Sequence, residues 1–180
     1  TREDAAEVIS RVAARGEPLT VVALGPLTNL ADLVTDYPDA AQLLAGIHAM
    51  GGSVDGRAVD GVAEWNAAAD PEAFATVLSS GVPLTLVPED AVPTGTPDAL
   101  DVPVVAQVAA ANDYPAWWDL AAAAAVVAPG AAQAEDGRWE LDRSTPGRLR
   151  RVGDGPVRVV RSLDRAALEA EYAATFDAGP

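Results

Sequence analysis

The chain has 180 residues, 49% hydrophobic and 22% charged, an ordinary globular balance with enough sequence for one sizeable core. Its formal net charge of −15 argues against nucleic acid as a partner bound through general electrostatics. Having no cysteine and a single histidine, it can form neither a disulfide nor a thiolate or multi-histidine metal site.

No apolar run reaches the roughly 18 residues of a membrane span, so no membrane partner is expected. The opening TREDAAEVISRVAARG has acids early and no apolar core, unlike a signal peptide, and a cytoplasmic location is the expectation. From Thr1 to Arg15 the pattern predicts a helix with Ala5, Val8, Ile9, Val12 and Ala13 on one face. Thr1 and Asp4 make an approximate capping box, and Gly16 is the stop. Leu19 to Leu24 is a continuous apolar run of the kind that forms a buried parallel strand. Gly25-Pro26 then leads into the helical LTNLADLV, a short helix follows Tyr37-Pro38, and Gly46 to Met50 is a second strand closing on Gly51-Gly52.

A polar loop from Ser53 to Gly61 precedes AEWNAAADPE, the most informative stretch. Glu64 and Asn66 are two apart, so an extended segment would turn both to one side. A carboxylate beside a carboxamide suits vicinal hydroxyls, because one accepts and the other both accepts and donates. Asp70 as N-cap, Pro71 at N1 and Glu72 in the first turn open a helix that runs to Ser79. Val82 to Val87 is a third buried strand, followed by Glu89-Asp90. Asp90 to Pro103 reads as a loop, Val104 to Ala111 as a helix, and Asp119 to Val127 as an Ala-rich helix buried on most sides.

Beyond Ala131 the grammar changes. Trp139 to Leu141, Arg148 to Val152 and Val157 to Val160 read as antiparallel strands around turns at Asp136-Gly137 and Asp154-Gly155. An amphipathic helix from Asp164 to Phe176 closes the chain, with Leu163 or Asp164 near its cap. Strand–helix alternation predicts an α/β fold: an open, mostly parallel sheet with helices on both faces, plus a C-terminal antiparallel hairpin region. The whole of 1–180 reads as a single domain. In such sheets ligands bind beyond the carboxyl ends of the strands, which singles out Leu24 to Asn29, Met50 to Gly52, and Glu89-Asp90. Each is also an ordinary strand-to-helix turn.

The ordered set ALGPLTNLA, MGG, AEWN-x4-PEA, GVPLTLV and WDLAAA, at near-fixed spacings, resembles the nucleoside hydrolases, calcium-dependent N-ribohydrolases of nucleosides. The resemblance covers most of the chain, up to the terminal helix. It implies a calcium ion that grips the ribose diols and orients a water for attack at the anomeric carbon. The Leu24 carbonyl and the Asp119 carboxylate would be ligands of that ion, and Met50, Glu64 and Asn66 ribose contacts. On local grounds alone, Asp119 reads first as an ordinary helix N-cap. Trp118 stands where many members carry a base-protonating His; the purine-preferring branch has Trp there, and an indole can stack on a purine leaving group. Trp117 reads as packing, and His48 as a satisfied core residue.

The family's N-terminal DxDxxxDD cluster, which supplies further calcium ligands and the water-activating carboxylate, has no counterpart here, and the loop after Met50 offers Arg57 and Asp60 in place of an Asn. The catalytic residue therefore stays unassigned. The chain is expected to be the C-terminal two-thirds of a nucleoside hydrolase-like domain, working with an N-terminal companion segment as a homo-oligomer. The alternative is a catalytically inactive binding or structural subunit of the same fold.

Overall fold

The computed structural model describes residues 4–56, 61–95 and 117–177. The helix expected over Val104 to Ala111, together with Thr1, Arg57 and Asp60, lies outside them. The described elements are α1 (Ala5–Ala13), β1 (Leu19–Ala23), α2 (Thr28–Asp36), α3 (Pro38–Ala41), β2 (Leu44–Met50), α4 (Trp65–Ala69) and α5 (Pro71–Leu78). These are followed by β3 (Leu84–Val87), a 3₁₀ turn (Glu89–Ala91), α6 (Trp118–Val127), a second 3₁₀ turn (Pro129–Ala131), β4 (Ala132–Leu141), β5 (Leu149–Leu163) and α7 (Arg165–Asp177).

The strands form one five-stranded sheet in the order β1-β2-β3-β5-β4. Its first three pairings are parallel, and β4–β5 is antiparallel. Side-chain alternation sends neighbouring strand residues into two different cores. Leu84, Leu86, Val157 and Val159 pack with Leu33 of α2 and Phe74 of α5. Met50, Val87 and Val160 pack on the opposite face with Ala121, Ala122 and Ala125 of α6 and Leu168 of α7. Helices thus cover both faces. Alanines on α6 leave the room that lets this helix lie on β2.

Several local expectations are corrected. Asp4, not Thr1, caps α1: its carboxylate accepts from the Ala6 N–H at 2.9 Å, and Ala6 and Ala13 form the buried side while Ala5 faces outward. Among the described residues β1 is an edge strand, so its apolar run is only half buried and Val22 is 40% exposed. The Gly-rich pairs Asp136-Gly137 and Asp154-Gly155 are not turns. They face each other inside one long β4–β5 hairpin, where the pairing jumps from Gly137↔Val157 to Arg138↔Gly153 and residues 154–156 bulge out. A side chain at Gly155 would place its Cβ 2.8 Å from the Arg138 nitrogen, so the bulge requires glycine. His48 is not a satisfied core residue: its Nδ1 is buried without a hydrogen-bond partner, and burial lowers its pKa. Asp164 does cap α7, accepting from the Ala167 N–H at 3.2 Å.

Candidate active site

Beyond the carboxyl ends of β1, β2 and β3 lies a cavity of about 310 Å³ lined by Leu24, Met50, Glu64, Trp65, Asn66, Glu89, Trp118 and Asp119. Every metal and ribose residue expected from the sequence therefore meets at one place, although the segments that carry them are far apart in the chain. Glu89 and Trp65 join them.

The segment around Glu64 is not extended. Glu64 is the N-cap of α4, and Asn66 already lies in its first turn. Buried to 4% exposure, the Glu64 carboxylate accepts from the Asn66 N–H at 2.7 Å, the Ala67 N–H at 2.9 Å and the Gly52 N–H at 2.7 Å. Those bonds satisfy orphan amides of the helix start and tie it to the loop after β2. The Asn66 amide nitrogen reaches the same loop, donating to the Met50 carbonyl at 3.1 Å and approaching the Met50 sulfur at 3.4 Å. Its carbonyl oxygen keeps acceptor capacity.

The glycines of this loop are needed for space. A Cβ on Gly52, whose φ is +78°, would stand 2.4 Å from the Leu149 side chain. One on Gly51 would meet the Phe74 ring at 3.0 Å. A second tie joins the β1–α2 turn to this region, the Thr28 hydroxyl donating to the Asp70 carboxylate at 2.5 Å. Asp70 also caps α5 as expected, accepting from Ala73. Within GPLTN, then, Leu24 leads into the cavity wall, Leu27 is core, and Thr28 braces the helix junction.

The Glu89-Asp90 turn divides its work. Asp90 accepts from the Val54 and Asp55 N–H groups at 2.7 and 3.0 Å, and the Glu89 N–H donates to the Gly52 carbonyl at 2.9 Å. The Glu89 side chain is left for the cavity. Partial desolvation, reinforced by the nearby Glu64 charge, pushes its pKa up, while a hydrogen bond from the Trp118 side chain opposes the rise. Asp119 is likewise raised by desolvation. It is not a helix N-cap: that position belongs to Trp117, which makes no side-chain cap bond. Trp117 is packing, 4% exposed, with the Arg165 guanidinium 5.3 Å from its ring centre.

Glu89 was expected at a strand end with no role for its side chain, since only the fold shows that it lines the same cavity as Trp118. Trp65, between Glu64 and Asn66, was given no role by the sequence. It is 74% exposed on the cavity wall. Among the described residues no group of three or more His, Asp or Glu is gathered as a metal cluster.

A mostly parallel sheet covered on both faces, with an acidic, indole-walled cavity beyond its strand ends, defines an open α/β protein with a candidate small-molecule site. The model of the inosine-uridine preferring nucleoside hydrolases matches residues 1–170, and the chain belongs to that family. The non-specific ribonucleoside hydrolase RihC of Escherichia coli is 44% identical over 70 residues, which make up 39% of this chain and 23% of that protein. The inosine-uridine preferring nucleoside hydrolase of Bacillus anthracis superposes with a TM-score of 0.74 at 23% identity, over 95% of this chain and 64% of that one. The purine-preferring ribonucleoside hydrolase of Gardnerella vaginalis gives 0.75 at 20% identity, over 99% and 66%. The chain thus spans less than two thirds of the B. anthracis protein, and at these identities the superpositions speak for the fold.

Proposed function

We propose that the chain is the C-terminal part of a calcium-dependent ribonucleoside N-ribohydrolase that favours purine nucleosides. The observation that carries this reading is the single cavity in which Leu24, Met50, Glu64, Asn66, Trp118 and Asp119 meet. Family membership supplies the reaction class. Water adds to the anomeric carbon, the glycosidic C–N bond breaks, and its electron pair leaves with the base, which takes up a proton; free ribose and base result.

The donor chemistry fits a hard cation in kind. Asp119 brings a carboxylate and Leu24 a backbone carbonyl, both oxygen donors. Partial desolvation raises the Asp119 pKa, and a bound cation would oppose that rise. These two would hold the ion, short of the roughly 6–8 oxygens that calcium takes. When bound, it would supply positive charge to the ribose diol and an acidified water.

The chain's own residues do the rest of the positioning. Glu64 and Asn66 keep the Met50 loop and the start of α4 together, so the groups that face the ribose are fixed relative to one another. Contacts to the sugar hydroxyls that tighten as the ring flattens accelerate cleavage; equal contacts in both states would not. Trp118 and Trp65 offer indole surface to the base. Among the described residues near the cavity no histidine offers a proton to it.

The remaining aspartates would come from a companion segment outside these 180 residues. Among the described residues the outer edge of β1 is unpaired, with Val22 on it 40% exposed and Leu24 just after it 41% exposed, which supports docking there. The absence of cysteine fits a cytoplasmic enzyme, and a homo-oligomer completes the reading.

One observation favours the alternative, an inactive binding subunit: the missing metal cluster among the described residues. The test is product analysis with the complete protein, incubated with inosine or uridine in calcium and in a calcium chelator. Release of base and ribose only in calcium is the expected result. Nucleoside binding without release would establish the inactive subunit.

A further inference from the structure

After Met50 the chain leaves β2, and residues 51–56 run on as a strap held by groups from other segments. The Gly51 N–H donates to the Val87 carbonyl at 3.2 Å, and the Gly52 carbonyl accepts from the Glu89 N–H at 2.9 Å. The Gly52 N–H donates to Glu64 at 2.7 Å. Ser53 is tied to the β4–β5 connection through Gly147 and Leu149. At the far end the Gly56 carbonyl accepts from the Arg148 guanidinium, and its N–H donates to the Ser53 hydroxyl at 3.1 Å. Between these points the Asp90 carboxylate takes two consecutive amides, Val54 at 2.7 Å and Asp55 at 3.0 Å. The Asp55 side chain in turn pairs with Arg161 of β5. Asp90 is not among the residues that line the cavity.

We propose that Asp90 is a positioning residue for the sugar end of the cavity: by holding Val54 and Asp55 it fixes the strap that begins at Met50, and through the Gly52–Glu64 bond the setting of Glu64. The 3₁₀ turn after β3 thereby grips the strap twice, at Gly52 through the Glu89 N–H and at Val54 and Asp55 through the Asp90 carboxylate. One point of attachment leaves a segment free to pivot, whereas two set its direction. A charged acceptor makes each bond about twice as strong as a neutral one. With the hairpin holding Ser53 from the other side, the strap is clamped between β3 and the β4–β5 connection. Met50, Glu64 and Asn66, the residues assigned to the ribose, all bond to this strap or open it.

The purpose of the clamp rests on the nucleoside-hydrolase reading, and the test separates the two. Its first arm needs no substrate and follows amide resonances and their exchange with solvent in the complete protein. Asp90→Ala should speed exchange at Val54 and Asp55 about tenfold or more, the loss of bonds to a charged acceptor. It should also shift the Gly52 N–H and the Asn66 side-chain amide, which Asp90 does not touch. Asp90→Asn keeps one acceptor oxygen and should fall between Asp90→Ala and the wild type. Changes confined to Val54 and Asp55 would overturn the positioning role whatever the protein hydrolyses.

The second arm measures kcat/KM on inosine, 2′-deoxyinosine and uridine, at matched folded fraction. Asp90→Ala should lower the preference for inosine over 2′-deoxyinosine about 5- to 10-fold, the worth of one sugar-hydroxyl contact. The ratio of inosine to uridine should stay as in the wild type, because the base meets the indole wall and not the strap. Asp90→Asn should recover part of the preference for the ribonucleoside. A lowered melting temperature with both ratios unmoved would make Asp90 a stabilising residue only and would overturn the positioning role.

Discussion

Gly147, in the β4–β5 connection, lies so close to Glu64 that a Cβ added to it would stand 2.1 Å from the Glu64 carbonyl oxygen and 2.5 Å from its nitrogen. The tip of the hairpin is therefore the floor on which the cap of α4 rests. Ser53 strengthens the joint, with its N–H donating to the Gly147 carbonyl at 3.0 Å and its carbonyl accepting from Leu149 at 2.8 Å. Both the clash and the φ of +79° at Gly147 forbid a side chain there. Gly147→Ala should cost about 2 kcal/mol or more, since a left-handed non-glycine residue alone costs roughly 1–2 kcal/mol. Gly61→Ala is the control, with a similar φ of +83° but open space around it, and should cost only the conformational part. Denaturant unfolding of the complete protein measures both; equal losses would show that the contact with Glu64 is slack.

The Thr28–Asp70 bond predicts a pH signature. The hydrogen bonds from Thr28 and then Ala73 hold the Asp70 carboxyl below its ordinary value of 3.8. The folded state thus favours the ionised form, so this stabilisation is complete above that value and is lost as the pH falls through the lower folded one. Asp70→Asn should therefore melt below the wild type at pH 7, and the difference should shrink on acidification below 3.8. A difference independent of pH would assign the loss to packing.

Asp119→Ala should remove calcium binding from the complete protein while leaving its melting temperature close to wild type. Asp119 makes no cap bond in α6, so the roughly 1 kcal/mol of an N-cap is not at stake. Titration calorimetry checks it, and an unchanged affinity would take Asp119 out of the ion's shell.

Base preference should depend on both indoles of the cavity. Stacking worth about 0.5–1.5 kcal/mol per aromatic corresponds to about 2- to 12-fold in rate. Trp118→Ala should lower activity on inosine more than on uridine by that factor. A larger preference would need a second aromatic against the base, and Trp65, on the same wall, is available for it. Losses equal for both nucleosides would mark the rings as packing.

What the sequence made legible follows from how each residue gets its role. The parallel strands showed because LTVVA, LAGIHAM and LTLV are short β-branched or apolar runs punctuated by Gly and Pro. The edge position of β1 did not, because burial of a run depends on which strands flank it. Gly-rich pairs at 136–137 and 154–155 carry the same signal for a turn and for a bulge, and only the register separates the two. That Leu24, Met50, Glu64, Asn66, Trp118 and Asp119 would come together was legible because the order and spacing of their motifs match a family. The tie from the Glu64 carboxylate to Gly52 was not, because that amide lies across a loop from it.

The most direct test of the account is ribose release from inosine in calcium, comparing the complete wild-type protein with Asp119→Ala at matched folding. The account predicts a loss of about 100-fold or more, because several kcal/mol of charge stabilisation depend on the ion that Asp119 would hold. Equal rates, or no release by the wild type despite tight nucleoside binding, would contradict it.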